Sequence, residues 1–514
     1  MRNFAEKQFI YEINTAVWLT ELSERYHQPV TLSNIPDEAL DAIARPGIDY
    51  IWLMGVWQRS QYGIQIALKW KHEYQPALPD LTDNDIIGSA YAISDYRVAD
   101  AFGGREALAS LRGRLRQRGL KLILDFVPNH VAADHPWLET HPEYIVQGSS
   151  EDVLNRPNDF FSYKNSGDVL QVFAHGRDPY YPGWSDTAQL NIFNPALRKA
   201  VRNLLLDIAS QCDGLRCDMA MLMLKEIFAH TWKGYVPAPP AKEYWMEMTK
   251  AVRQFHPDFL FMAEVYWHKE YELLLQGFDY CYDKVFYDRV IEGHVQQLRQ
   301  HLVAELAYQQ RLVRFLENHD EPRAYETLGV LRSYPAATLL CTLPGGTLLH
   351  DGQLTGRRVK LPVQINRAPH EREHRKLKTF YEGLLREIEH PVYHNGSFYL
   401  FHVNPAAKNN TSYQHLLAYG WYNEAEFDYR LIVVNLTDQR AQGRVDMSAW
   451  TWLEGRRWRL FNVLDNEEFS RQGGALSKDG MLVDLDPYES FIFRFELEDA
   501  PKPVHAGGYR GEVF

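Results

Sequence analysis

DGLRCDMA, residues 213–220, is a short apolar run that closes on an arginine and an aspartate two positions apart. On a strand, side chains two apart share a side, so Arg216 and Asp218 face one space together. The guanidinium would hold the carboxylate ionised and oriented, which is how a carboxylate nucleophile is prepared. A buried Arg–Asp pair serves structure as readily, and the rest of the chain separates the two readings. LKLILDFVPNH (120–130), FLFMAEVYW (259–267) and LVRFLENHDEPR (312–323) are three more apolar runs whose last positions switch to Asp, Glu, His and Asn. Each reads as a buried strand. In a barrel of parallel strands, such a switch marks the end where catalytic groups sit.

Around these runs strand and helix patterns alternate from residue 10 to about 390, which implies parallel strands joined by crossover helices. The order is strand YEINTAVWL (11–19), helix 36–44, strand IDYIWLMGVW (48–57), helix 105–117, and the strand ending at 125–130. A loop-rich stretch, 131–191, then stands in place of a helix, and loops of that length inside a compact unit are usually functional. Alternation resumes with a helix opened by Asn194-Pro195, the strand at 214–218, a helix over 242–255, and the strand ending at Glu264. A weaker strand near 278–285, the strand ending at His319-Asp320, and a last unit of strand 346–350 and helix 373–389 bring the total to eight. Beyond residue 391 the pattern changes to short alternating runs such as SFYLFHV (397–403), RLIVVNL (430–436) and SFIFRFEL (490–497), an antiparallel β domain.

The whole chain limits what this can be. Its 514 residues suffice for a large core and more than one domain. A formal net charge of -12 argues against nucleic acid or an anionic membrane as partner, since both reward clustered Lys and Arg. There is no secretory leader pattern and no run of the 18 or so apolar residues that a membrane span needs. Cys212, Cys217, Cys281 and Cys341 lack metal-ligand spacing and read as buried thiols in a reducing cytoplasm.

Splitting a glycosidic bond with retention needs one carboxylate as nucleophile and one protonated carboxyl as acid, ~5 Å apart on opposite faces of the sugar. Asp218 and Glu264, at the ends of neighbouring strands, are the right types for those roles. Asp320 can bind sugar hydroxyls and favour an oxocarbenium-like transition state, and His130 and His319 can donate to hydroxyls of the same ring.

These residues carry a resemblance. DFVPNH (125–130), GLRCD (214–218), the glutamate of FMAEVYW and ENHDEPR (317–323) match, in order, the four conserved regions of the α-amylase superfamily, glycoside hydrolase family 13; AYAISDY (90–96) adds a fifth match. The resemblance implies a (β/α)8 TIM barrel over 1–130 and 192–390, a B-domain insertion after strand 3 at 131–191, a C-terminal antiparallel β-sandwich over 391–498, and a tail at 499–514. It implies Asp218 as nucleophile, Glu264 as acid/base and Asp320 as transition-state stabiliser. Tyr91, Asp125, His130, Arg216, His319 and Arg323 are its substrate-binding candidates. The expected activity is retaining α-glucosidic hydrolysis of α-glucans or malto-oligosaccharides. A transglycosidase or phosphorylase of the same family is the alternative, and a catalytically silent carbohydrate-binding relative is a third reading. Oligomeric state stays unassigned.

Three positions depart from the family pattern. Met221-Leu222 stand where Lys-His is usual after the nucleophile; this predicts an apolar leaving-group side and a preference for short chains. TAQLN (187–191) has Gln189 in place of an acid. In LLHDGQL (348–354), His350 and Leu354 replace a tyrosine and an acid. No cofactor is required by this reading. Calcium stays open, because Asn129 matches a family ligand while no acidic cluster completes a hard-cation site.

Overall fold

The computed structural model describes residues 7–498; the tail expected at 499–514 lies outside them. Eight parallel strands close into a barrel: β1 (Phe9–Asn14), β2 (Tyr50–Met54), β3 (Lys121–Phe126), β4 (Gly214–Cys217), β5 (Leu260–Ala263), β6 (Tyr280–Tyr282), β7 (Leu312–Arg314) and β8 (Gly346–His350). Strands buried on both faces read as continuous apolar runs, which is why YIWLM of β2 and GTLLH of β8 were legible. No helix among the described residues is long and apolar enough to cross a membrane.

Register decides where the polar ends emerge. Cys217 of β4 pairs with Ala263 of β5, so Asp218 and Glu264, one residue further along each strand, leave adjacent strands at the same height. The ladder continues into them: Asp218 N donates to Phe126 O at 2.9 Å and Glu264 N to Cys217 O at 3.0 Å. On the far side of the barrel Glu12 of β1 lies between Trp52 of β2 and His350 of β8.

The expected first strand, 11–19, is shorter than the pattern suggested. β1 ends at Asn14, whose side chain accepts from Val17 N and caps a helix over Thr15–Tyr26; the helix turns Ala16, Trp18, Leu19 and Leu22 onto the core. β7 likewise stops at Arg314 instead of running to Asp320. Beyond it the chain leaves the sheet, and Asn318 Oδ1 accepts from Asp320 N and Glu321 N, both at 2.9 Å, a side-chain-mimicked turn that aims Asp320 upward.

The stretch 131–191 has more regular structure than a loop. His130–Ala132 pairs with Thr187–Gln189, Phe160–Lys164 pairs with Leu170–Ala174, and short helices cover Trp137–Thr140 and Ser150–Asn155. The first pair ties both ends of the insertion to the rim above β3.

After the barrel, a six-stranded antiparallel sheet faces a three-stranded one. Period-two alternation divides the central strands between two cores. Leu416, Ala418, Leu431 and Val433 join Val403, Val445 and Val483 of the smaller sheet, whereas Leu417, Tyr419, Trp421, Ile432 and Val434 pack on the barrel. Tyr419 and Thr342 share a hydroxyl contact of 2.6 Å, and Trp421 Nε1 donates to Thr342 O at 2.7 Å. Both faces of the larger sheet's central strands are thus covered.

Candidate active site

Arg216 forms the floor. It is fully buried, its Nη1 donates to Asp218 Oδ1 at 2.5 Å, and its Nη2 lies 2.8 Å from Glu264 Oε2 and 3.9 Å from Asp320 Oδ2. Tyr282 of β6 sits beside Nε at 3.4 Å, and the guanidinium lies over the rings of Trp52 and Tyr91. One planar fork therefore holds two carboxylates at adjacent strand ends, with the third, Asp320 from the loop after β7, at 3.9 Å. Above it is a chamber of about 350 Å³ lined by Tyr91, His130, Trp184, Asp218, Glu264 and Asp320, among others.

The three acids are held differently. Glu264 is buried, its Oε2 accepting from Met219 N at 2.6 Å and its Oε1 from Tyr266 Oη at 2.9 Å. Burial pushes its pKa up to about 7; Arg216 opposes that, and the charges of Asp218 and Asp320 add to it. Met219 adopts the left-handed conformation (φ 41°), at a cost of about 1–3 kcal/mol for a residue with a Cβ. That turn is what points its N–H at Glu264. Asp320 is half-exposed. Burial would raise it, but the charge and hydrogen bond of His319, with help from Arg216, outweigh this and hold it well below the usual carboxylate range.

His319 Nε2 lies 2.9 Å from Asp320 Oδ2 and 2.6 Å from the Tyr91 hydroxyl. Tyr91 stacks on the His319 ring at 5.3 Å. His130 lies 5.1 Å from the Trp184 ring, and burial lowers its pKa to about 4, so it meets a substrate neutral.

Of the predicted substrate-binding residues Tyr91 and His130 line the chamber, Arg216 and His319 lie behind its acids, and Asp125 and Arg323 are held elsewhere. Asp125 is buried, and its carboxylate accepts from Trp52 Nε1 at 3.1 Å and Gly55 N at 2.8 Å; it braces the rim of β2 from beneath. Gly55 has φ +78° and its missing Cβ would meet that of Ala90 at 2.9 Å, so a bulkier residue there would dislodge the brace. Arg323 is buried against Glu317 (2.6 Å), His350 Nδ1 (2.9 Å) and Asp351 O (2.7 Å); it fixes the β7 and β8 loops. Met221 and Leu222 do not present apolar surface to a leaving group. The turn at Met219 sends the chain inward, both are buried in a 3-10 turn over Ala220–Met223, and the expectation of weak long-chain binding loses its basis.

Tyr266, Trp184 and Asp186 line the chamber and were not singled out. Tyr266 stands two positions after Glu264, the same spacing that exposed Arg216 beside Asp218, so that signal was available. Trp184 and Asp186 come from the insertion, where no periodicity points to them. A larger hollow of about 580 Å³ beside the helix Thr15–Tyr26 is walled mainly by apolar side chains and contains no acid pair.

Asn129 does not fit a calcium site. Gln189 Nε2 donates to Asn129 O (2.7 Å), Asn129 Oδ1 (3.0 Å) and Leu190 O (3.2 Å). The oxygens that a hard cation would need are occupied by an amide. Among the described residues no group of three or more His, Cys, Asp or Glu could hold a metal ion.

Comparison with known proteins agrees with this geometry. Residues 37–378 match the family model for the alpha amylase catalytic domain. The chain is 23% identical over 349 residues to alpha-amylase 3 of Dictyoglomus thermophilum, covering 65% of this chain and 61% of that protein. It is 27% identical over 201 residues to a probable oligo-1,6-glucosidase 2 of Bacillus subtilis, covering 35% of each. The chain thus spans less than two thirds of these relatives' own length. Among solved structures, the maltogenic alpha-amylase AmyB of Thermotoga neapolitana superposes with a TM-score of 0.68 at 19% identity, covering 97% of this chain and 100% of that one.

Proposed function

The chain belongs to the α-amylase family, and from that premise we propose that it is a retaining α-glucosidic hydrolase acting on α-glucans or malto-oligosaccharides. The observation that carries the reading is one guanidinium holding Asp218 and Glu264 at a shared height, with burial raising Glu264 to about 7. Two oxygens held on one rigid fork lie close together, toward the ~5 Å spacing of retaining pairs. A carboxyl raised toward neutral pH suits the acid/base role.

The steps follow. Glu264, protonated below about pH 7, gives its proton to the glycosidic oxygen while Asp218 attacks the anomeric carbon. The bond to the leaving sugar breaks and an ester to Asp218 forms. Glu264, now ionised, takes a proton from water as the water oxygen attacks the same carbon, which releases Asp218 and returns the α-anomer. Asp320, kept ionised, faces the positive charge that develops on the ring. His130 and Tyr91 supply neutral contacts to the sugar.

No Lys or Arg is among the residues lining the chamber. A phosphate ion entering to intercept the ester would meet Asp218, Glu264 and Asp320 on the chamber wall, while Arg216 beneath them is fully buried and already paired with those acids, which favours water or a sugar as acceptor over phosphorolysis. The four cysteines are buried and free, which supports a reducing, cytoplasmic setting.

Incubation with maltoheptaose, pullulan, sucrose and trehalose, with and without phosphate, followed by chromatography and proton NMR of fresh product, tests the reading. Expected are shorter malto-oligosaccharides in the α-anomeric form, independent of phosphate. A β-anomer appearing first would overturn the mechanism; sugar phosphates would overturn the choice of acceptor.

A further inference from the structure

Glu12 lies at the C-terminal end of β1, far in sequence from every acid discussed so far, and is fully buried. Its Oε1 is 2.5 Å from His319 Nδ1, and its Oε2 has no hydrogen-bonding partner among the described residues. A carboxylate without exposure and with one oxygen unmatched is costly. A glutamine or an apolar residue would fill the site at lower cost, so the position calls for a use that only a negative charge serves.

The ring it touches shows that use. His319 is clamped between two acceptor-only groups, with Glu12 at Nδ1 and Asp320 at Nε2, 2.9 Å away. A neutral imidazole carries one N–H, and its second nitrogen would present a lone pair to a carboxylate. Both carboxylates receive a hydrogen bond from the ring only when both nitrogens are protonated, and the Tyr91 hydroxyl, 2.6 Å from Nε2, can then accept there as well.

We propose that Glu12 is a positioning residue for the reaction: by accepting from Nδ1 it keeps His319 an imidazolium, so that Asp320 meets the substrate ionised and fixed in direction. The inference rests on the glycosidase reading of the same site. The charged and titratable groups around the ring are Glu12 from β1, Tyr91 stacked on its face, Asp320 beside it in the chain, Arg216 below, Asp125 beyond Trp52, and His350 on the far side of Glu12. The direction of titration agrees: burial would lower His319, but Asp320 and Glu12 together hold it well above the ordinary histidine range.

Glu12→Gln tests this, because it preserves shape and removes the charge. Hydrogen–deuterium exchange at the His319 ring C2 position, followed by mass spectrometry against pH, reads the protonation of that ring with no substrate present. The wild-type midpoint should lie above the ordinary histidine range and fall by at least about one pH unit in Glu12→Gln. In kinetics, kcat should fall about tenfold or more with KM little changed. The alkaline limb of log kcat/KM should steepen from one proton toward two, as His319 begins to titrate in the same range as Glu264.

In a His319→Gln background the Glu12 substitution should have almost no further effect on kcat, since its action passes through the ring. A wild-type C2 midpoint at or below the ordinary range overturns the proposal even if the variant fails to fold. An unchanged midpoint in a folded, slower Glu12→Gln also overturns it, as do additive losses in the double variant. Failure of the glycosidase reading would look different: no turnover of any glucan by the wild type, with the exchange midpoint still displaced.

Discussion

Arg216 and Arg430 are both fully buried, and each is paired with two or more carboxylates, yet they serve opposite ends. Arg430, on the strand Asp428–Asn435, donates Nε to Glu387 Oε1 at 2.5 Å and also reaches Asp428. Glu387 ends the last barrel helix, Arg375–Glu387, and accepts from Tyr393 Oη at 3.2 Å. This group is closed: it ties the β domain to the barrel, and none of its members opens onto a chamber. Arg216 has the same chemistry on the floor of a cavity, where its acids turn their remaining surface toward a substrate. A buried ion pair is therefore no mark of a site in itself. What distinguishes the two is the space beside Arg216 into which its acids turn.

The sharpest way to break this contrast is to remove charge at each place and see which property fails. Asp218→Asn should lower kcat by at least about a thousandfold, because it abolishes the ester, while the melting temperature stays close to that of the wild type. Near-wild-type turnover of the best substrate would remove Asp218 from the nucleophile role. Glu264→Gln should cost about 10²–10⁴-fold on natural glucans and much less on aryl glycosides whose leaving group needs no proton. Glu264 acts first as an acid and its pKa is raised to about 7. Wild-type kcat/KM should therefore hold below that pH and decline as pH rises through it, a limb that Glu264→Gln should lack.

How much of this could be read in advance follows from the same contrast. Carboxylates at strand ends announce themselves by an abrupt switch from apolar to acidic residues, so Asp218, Glu264 and the barrel strands that deliver them were legible. Glu12 was not, because IYEIN (10–14) shows a lone acid inside a strand pattern and only the barrel's closure brings it to His319. Asp125 and Arg323 show the converse. They sit in the right motifs, but direction is set by local partners, Trp52 and Gly55 for one and Glu317 for the other, which sequence order does not reveal. Met221 and Leu222 turned inward on a backbone conformation at Met219 that a non-glycine residue rarely adopts. The β domain was legible as strands, but its two-faced burial was not, since barrel contact depends on tertiary docking.

At Arg430 the opposite outcome is expected. Arg430→Met leaves Glu387 buried without its cation, and breaking such a pair costs about 3–5 kcal/mol. The loss should appear as a lower denaturant midpoint, with kcat on maltoheptaose unchanged in the protein that remains folded. A large fall in kcat at unchanged stability would mean that the strut communicates with the chamber and that the contrast is false.

The smallest effect concerns the insertion, and it asks whether an amide has replaced an ion. Gln189 Nε2 bonds three oxygens of the 129–130 and 189–190 segments where the insertion's two ends meet above β3. The amide's two hydrogens are shared among these three acceptors, whereas an acid at this position would face the same oxygens as a fourth acceptor and need a cation between them. The wild-type melting temperature should therefore be indifferent to EDTA and to added calcium. Gln189→Leu keeps the volume but orphans the acceptors, and should cost roughly 1–3 kcal/mol with little loss of activity. Gln189→Asp should be destabilised more than Gln189→Leu in EDTA, because a buried carboxylate then faces oxygens alone. Calcium should recover part of that difference by binding the folded form. A wild-type protein that melts earlier in EDTA would show that a cation still holds the insertion and that the amide is incidental.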